Sequence, residues 1–116
     1  MQKIIKIDGK DVGFKATALT PRLYRHLIGR DLIADMMKLQ KSAIKTATKG
    51  EELSPVDLEI FENAAYVMAR QYDNTIADNA DEWLDSFSTF SIYDILPQIM
   101  ELWQINEETT SRPKKK

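Results

Sequence analysis

The segment from Asp81 to Trp103 constrains the fold of this 116-residue chain most, because it carries much of the chain's large aromatic surface. It contains both tryptophans and three of the four phenylalanine or tyrosine residues that follow Met68. Large aromatic side chains supply much of the apolar area that a small core buries. We therefore expect this segment to organise the core. The predicted core residues are Phe61, Met68, Trp83, Leu84, Phe87, Ile95, Ile99 and Trp103.

Residues 3–16 have the pattern of a β-hairpin, with apolar and polar residues alternating on both sides of Asp8-Gly9. A two-residue loop would place Ile7 opposite Lys10, whereas a four-residue loop would place it opposite Val12. Apolar cross-strand pairs contribute about 0.2–1 kcal/mol each, so the four-residue loop is favoured. A lone hairpin is marginal in water, so this one must pack on helices or join strands of another chain.

A first helix is predicted from Pro21 to about residue 45. Thr20 can cap its free N–H groups, and proline suits the first helical position. Gly29 lies inside this range, where glycine lowers helix stability by about 1 kcal/mol relative to alanine. Because such a glycine needs a reason, we expect it to permit close packing. The apolar sector is wider than one stripe, which predicts two packing neighbours.

A second helix is predicted over residues 55–72. Ser54 and Asp57 form a capping-box-like pair around Pro55. The apolar residues that follow are spaced by three and four, as on one face of a helix. They are Leu58, Phe61, Ala65, Met68 and Tyr72.

Two further helices are predicted over residues 81–87 and 91–105. Pro97 leaves two alternatives open for the last one: a single bent helix, or a turn followed by a helix that begins at Pro97. Residues 109–116 lack apolar side chains and predict a flexible basic tail. The expected fold is therefore α+β, with a hairpin and about four helices in one domain over residues 1–108.

Charge is segregated along the chain, although the net charge is only −2. Residues 22–50 hold seven basic and two acidic residues, whereas residues 51–108 hold fourteen acidic residues and one basic residue. Such asymmetry predicts complementary faces within the fold or between copies. We expect weak self-association from it, with apolar contacts supplying most of the affinity.

No catalytic, cofactor-binding or metal-binding motif is present in the sequence, and we expect no enzymatic activity. His26 is the only histidine and there is no cysteine, so catalytic triads and histidine–cysteine zinc sites lack their constituents. The acids between Asp73 and Asp85 do not have the spacing of a calcium-binding loop. The apolar runs are far shorter than the roughly 20 residues that a bilayer requires, so no membrane partner is expected.

Several segments, in this order, resemble the tail assembly chaperones of long-tailed phages and prophages of Gram-positive bacteria. They are FKATALTPRLYRHLIGRD (Phe14 to Asp31), ENAAYVMARQYD (Glu62 to Asp73), EWLDSFSTFSIYDILPQIMELW (Glu82 to Trp103) and the ending TTSRPKKK. The resemblance covers nearly the whole chain and involves a pattern of core and surface positions rather than a catalytic signature.

The resemblance implies an assembly factor that is not part of the finished virion. Its role would be to keep the long tape measure protein soluble in the host cytoplasm and to help bring tail-tube subunits to it. In many such families a programmed ribosomal frameshift near the end of the short product yields a longer form. The ending Pro113 to Lys116 suits an adenine-rich slippery site, and it equally suits an ordinary solubilising tail.

A chaperone for an elongated helical client needs exposed apolar surface, and the first predicted helix offers it. The expected partner-binding residues are Ile33, Met36, Met37, Lys38, Lys41 and Lys45. The two methionines suit client contacts and the core about equally well. The alternative function is a small helical nucleic-acid-binding phage protein that uses Arg22, Arg25, Lys38, Lys41 and Lys45. The absence of interleaved aromatic residues and a pI of about 5.4 disfavour that alternative.

Overall fold

An N-terminal antiparallel β-hairpin is followed by five helices in a computed structural model of the chain, which confirms the predicted α+β class. The structure describes the backbone of residues 1–110 and the side chains of residues 1–104. The elements are β1 (Gln2–Ile7), β2 (Lys10–Lys15), α1 (Thr20–Ile28), α2 (Leu32–Lys49), α3 (Pro55–Tyr72), α4 (Ala80–Asp85) and α5 (Ile92–Thr110).

The hairpin closes with a two-residue turn, so the predicted four-residue loop is wrong. Ile7 lies opposite Lys10, and Asp8 and Gly9 form the turn with φ angles of 55° and 76°. Two consecutive positive φ values are typical of a type I′ turn, whose twist matches that of the flanking strands. The geometry of the Asp-Gly turn therefore outweighs the gain from one additional apolar cross-strand pair.

The predicted first helix is in fact two helices, because the helix is interrupted between Gly29 and Asp31. Gly29 has a left-handed φ of 84°, and its N–H donates to the Arg25 carbonyl at 2.9 Å, which ends α1. The Asp31 carboxylate accepts from the Ile33 N–H at 3.1 Å and begins α2. Gly29 is thus a helix terminus and not a packing position inside one helix.

Three polar side chains brace the corner between α1 and α2. Arg30 donates two hydrogen bonds of 2.7 Å to the Asp35 carboxylate, and the buried Tyr24 hydroxyl donates to the same group at 2.9 Å. The hydrogen bonds from Arg30 hold the pKa of Asp35 below its ordinary value, against the opposing effect of burial. Burial and the neighbouring Asp35 carboxylate raise the pKa of Tyr24. The brace fixes the direction in which α2 leaves the corner.

The two predicted capping residues behave differently. Ser54 caps α3 as predicted, since its Oγ accepts from the Asp57 N–H at 3.1 Å. Thr20 does not cap α1 but forms its first residue, and its hydroxyl donates to the Gln71 side chain at 2.6 Å. The Thr20 side chain therefore links the start of α1 to the end of α3.

Helix α3 is the central element, although the sequence suggested the segment from residue 81 to 103. It packs against β2, α1, α2 and α4, and it is buried on more than one face. The small residues Ala64, Ala65 and Ala69 are all buried, and they let neighbours approach α3 from several sides. Tyr72 departs from the predicted apolar stripe, because it lies at the end of α3 with 42% of its surface exposed.

The C-terminal segment contributes a cluster of aromatic rings. Trp83 on α4 contacts the rings of Phe14, Tyr66, Phe87 and Phe90 at centroid distances of 6.3, 5.9, 5.3 and 5.6 Å. Of the predicted core residues, six are buried, whereas Leu84 and Phe87 are partly buried and pack against the core. The six are Phe61, Met68, Trp83, Ile95, Ile99 and Trp103.

Pro97 lies inside α5, so the last helix does not begin there. The helix begins at Ile92, after Ser91, whose carbonyl accepts from the Ile95 N–H at 3.0 Å. It continues to Thr110, so residues 109–110 are helical rather than part of a tail. The rest of the predicted tail, residues 111–116, lies outside the described residues.

Candidate interaction surface

Helix α2 presents three large apolar side chains to solvent. Ile33, Met37 and Ile44 are exposed by 42%, 55% and 58%. A helix turns by about 100° per residue, so these three positions fall within about 40° of one another on its outer face. We call them the α2 stripe. An exposed row of this kind on a small domain marks an interaction site more often than scattered single residues do.

The structure separates the predicted partner-binding residues into surface and core. Ile33 and Met37 belong to the α2 stripe, but Met36 is only 1% exposed and is therefore not available to a partner. Met36 lies on the inner face of α2 together with Leu32 and Leu39, which are also buried. The sequence could not show which of the two methionines is buried, because the apolar residues of α2 extend from its inner face onto its outer face.

Ile44 is the member of the α2 stripe that sequence reasoning missed. It lies eleven residues after Ile33, which is three helical turns along the same face. The signal that could have found it is the charge pattern, since lysines flank it at positions 41 and 45. A helix face that is apolar at its centre and basic along one side is typical of a surface that binds an amphipathic partner.

The predicted lysines are not equivalent. Lys38 contacts the buried Asp57 carboxylate on α3 at 3.4 Å, so it helps to join α2 to α3. Lys41 and Lys45 are exposed and form no ion pair with any residue whose side chain the structure describes. They line a shallow depression with Met37 on the outer side of α2. Of the three predicted lysines, these two are therefore the ones whose charge is available to a partner.

Asp57 explains why Lys38 is held in place. Burial raises the pKa of this carboxyl, but hydrogen bonds involving Ser42 and Ser54 and the charge of Lys38 outweigh burial and hold the pKa below its ordinary value. The Ser42 hydroxyl donates to Asp57 at 2.6 Å. The carboxylate is thus ionised at neutral pH and fixes the inner side of α2.

A groove of about 290 Å³ runs between α2 and α5 on the opposite side of the stripe from Lys41 and Lys45. Its lining is mostly apolar and consists of Ala43, Thr46, Ala47, Tyr93, Leu96, Pro97 and Met100. Tyr93 is about half exposed, and its hydroxyl accepts from the Leu53 N–H at 3.1 Å. The apolar surface of α2 therefore continues onto α5.

Acidic side chains crowd on another part of the surface, at α3 and α4. Burial and the nearby charges of Glu59 and Asp81 raise the pKa of Glu62. The basic side of α2 and this acidic cluster are thus carried by different elements.

Within residues 1–104, no group of three histidine or acidic side chains is placed to hold a metal ion. No described helix is both long and apolar enough to cross a membrane.

Comparison with known proteins finds no matching family model, no similar curated protein and no similar solved structure.

Proposed function

We propose that this chain is a tail assembly chaperone of a long-tailed phage or prophage of Gram-positive bacteria. It binds the tape measure protein, keeps it soluble in the host cytoplasm and helps to recruit tail-tube subunits. A frameshifted longer form would carry the same domain with an added C-terminal extension. The observation that carries the proposal is the α2 stripe, together with the family resemblance of the sequence.

The α2 stripe suits a helical client for a physical reason. An amphipathic helix lays its apolar face on apolar side chains spaced over several turns, and Ile33, Met37 and Ile44 provide such a row. Methionine has a flexible, polarizable side chain that adapts to different partners, which suits a client with many non-identical turns. Lys41 and Lys45, which form no ion pair with a described side chain, favour a client whose apolar face is bordered by acidic residues.

The test is co-expression with the tape measure and tail-tube proteins encoded beside this chain, followed by co-purification. The double variant Met37→Ser and Ile44→Ser should reduce the co-purified tape measure protein about tenfold or more, because it removes the centre of the apolar row. Both side chains are more than half exposed, so the variant should keep the unfolding midpoint of the wild type.

Val56→Ser is the matched control, because Val56 is also an aliphatic helix residue and is 54% exposed, but it lies on α3. This variant should retain the tape measure protein. Undiminished binding by the Met37 and Ile44 variant, or an equal loss with Val56→Ser, would contradict a client site on α2.

Nucleic-acid binding is the second candidate, and the exposed side chains of Lys41 and Lys45 are the observation that favours it. A salt-dependent shift of duplex DNA at physiological ionic strength, abolished by Lys41→Glu with Lys45→Glu, would support this function. The apolar row beside these lysines favours a protein partner, so we expect no such shift.

The proposal includes weak self-association, in which the basic side of α2 meets the acidic surface of a neighbour. Surface ion pairs contribute only about 0–1 kcal/mol each, so charge sets the orientation and apolar contacts supply the affinity. Reversing Lys41 and Lys45 to glutamate should loosen such oligomers in sedimentation velocity at low salt; Lys38 is left unchanged because it contacts the buried Asp57. The wild type sedimenting only as a monomer at high concentration would refute this part of the proposal.

A further inference from the structure

We propose that strand β1 pairs with β1 of a second copy, in antiparallel orientation, to form a four-stranded sheet across a twofold axis. This inference does not depend on the proposed function. It concerns the outer edge of the hairpin, which belongs to a different element from the α2 stripe.

The outer edge of β1 has unpaired backbone groups. In the observed register the two-residue turn makes Ile7 and Lys10 a hydrogen-bonded pair, so Lys3, Ile5 and Ile7 direct their N–H and C=O groups toward β2. The alternate residues Gln2, Ile4 and Lys6 direct theirs outward. Their backbone groups have no hydrogen-bond partner within the described residues.

The other strand of the hairpin, β2, is crowded at its centre. Helix α3 packs along β2, and the ring of Tyr72 lies directly over Gly13. A Cβ atom at Gly13 would come within 2.2 Å of that ring, so the absence of a side chain there permits this cover. Helix α5 contacts β1 as well, with Lys3 and Glu101 3.3 Å apart, and the outward backbone groups of both strands lack hydrogen-bond partners among the described residues. The Tyr72 ring over Gly13 is what favours β1 over β2 for strand addition.

The β1 edge lacks the features that usually block edge-to-edge pairing. It contains no proline and no bulge, and Ile4 at its centre is 53% exposed. Lysine commonly protects an edge by its charge, but Lys6 lies opposite Asp11 and contacts it at 3.7 Å. The positive charge at the edge is therefore partly neutralised from within the hairpin.

One antiparallel register between the two β1 strands allows more hydrogen-bonded pairs than the registers shifted from it by two residues. With Ile4 opposite Ile4 of the other copy, Gln2 lies opposite Lys6 and Lys3 lies opposite Ile5. All three outward residues then form hydrogen-bonded pairs, which makes six inter-chain hydrogen bonds, and no two lysines oppose each other. Shifting the register by two residues leaves only two such pairs. The partner best matched to the β1 edge is therefore the β1 edge of a second copy.

Cysteine cross-linking tests this register directly, because the natural chain has no cysteine. Hydrogen-bonded antiparallel residues have Cα atoms about 5.5 Å apart, within the range of a disulfide. Under mild oxidation, the Ile4→Cys variant should therefore form a covalent dimer. The matched control is Lys6→Cys on the same edge, since the two copies of residue 6 would be about 14 Å apart in this register. We expect dimer formation by Ile4→Cys to be at least about tenfold faster.

Ile4→Pro tests the edge without a new covalent bond. The Ile4 N–H points outward, so proline there removes no hydrogen bond between β1 and β2. It removes one inter-chain hydrogen bond from each copy, which should weaken dimerisation measured by sedimentation velocity about 30-fold. Lys15→Pro, which removes an outward N–H from β2 instead, should leave dimerisation unchanged. Circular dichroism checks that both variants retain the wild-type fold.

Equal cross-linking rates for Ile4→Cys and Lys6→Cys would overturn the proposed register. A wild-type protein that stays monomeric at high concentration would overturn the pairing itself. The same holds if dimers are lost with Met37→Ser and Ile44→Ser but persist with Ile4→Pro, because association would then occur through α2.

Discussion

Replacing Trp83 with alanine should destabilise this domain more than any other single aromatic truncation. Trp83 is 4% exposed, and its ring contacts four other aromatic rings that belong to β2, α3 and the segment after α4. Helix α4 has only six residues, which is too short to be stable alone, so its position depends on this side chain.

The expected cost is about 4–5 kcal/mol in the free energy of unfolding. Truncation of a buried tryptophan or phenylalanine to alanine costs about 3–5 kcal/mol through lost burial and the cavity left behind. Edge-to-face ring pairs add about 0.5–1.5 kcal/mol each, and Trp83 forms three with Phe14, Phe87 and Phe90, which places it at the upper end. The free energy of unfolding of a domain of this size is about 5–15 kcal/mol, so the loss is a large fraction of the total stability.

Urea unfolding followed by far-ultraviolet circular dichroism measures this cost without relying on tryptophan fluorescence. Trp103→Ala is the comparison, because Trp103 is also buried but pairs with no other ring among the described side chains. Trp103→Ala should lower the free energy of unfolding by about 3 kcal/mol. An unchanged dependence of free energy on urea concentration would show that both variants still unfold from a compact native state.

A loss below about 1 kcal/mol for Trp83→Ala would refute the reasoning, since no well-packed tryptophan is so cheap to remove. A larger loss for Trp103→Ala than for Trp83→Ala would show that the ring cluster adds nothing beyond burial.

Three further predictions concern single sites. Gly13→Ala should destabilise the wild type by about 1 kcal/mol because it displaces the Tyr72 ring, whereas in a Tyr72→Ser background it should be neutral or stabilising by urea unfolding. Asp35→Asn should lower the free energy of unfolding by about 1–3 kcal/mol at pH 7, because it weakens the hydrogen bonds with Arg30. Since the pKa of Asp35 is lowered in the folded state, the stability from its carboxylate is present above the unfolded pKa of about 3.9 and is lost as pH falls through the folded pKa. The unfolding free energies of the variant and the wild type should therefore converge in acid. Glu62→Gln should raise the thermal midpoint at pH 7 and not below pH 4, because a raised folded pKa means that ionised Glu62 opposes folding; a lower midpoint at pH 7 would contradict this.

The parts of the fold that local signals dictate were predictable. Ser54, Pro55 and Asp57 determine the start of α3 by hydrogen bonds within one turn, and the structure has that start. Alternation around Asp8-Gly9 predicted the hairpin correctly. Errors arose where two local signals competed, as at the turn, where the positive φ preference of Asp-Gly prevailed over cross-strand pairing.

The candidate surface was predictable only in part. The sequence placed apolar and basic residues on one helix, but it could not show which of them faced the core. That division depends on where α2 leaves the Gly29–Asp31 corner, because the corner sets which side of α2 lies against α3. The corner in turn is held by Arg30 and Asp35, whose contact becomes visible only in the folded chain.

The sequence by itself determined the α+β class, the position of α3, and the presence of apolar and basic residues on a helix before Gly50, because these follow from periodicity and capping over a few residues. Only the tertiary structure decided that α3 is the centre, that Met36 is buried while Met37 and Ile44 are exposed, and that the Tyr72 ring lies over Gly13 of β2. Those outcomes depend on how distant elements share the limited area around one small core, and no local pattern contains that information.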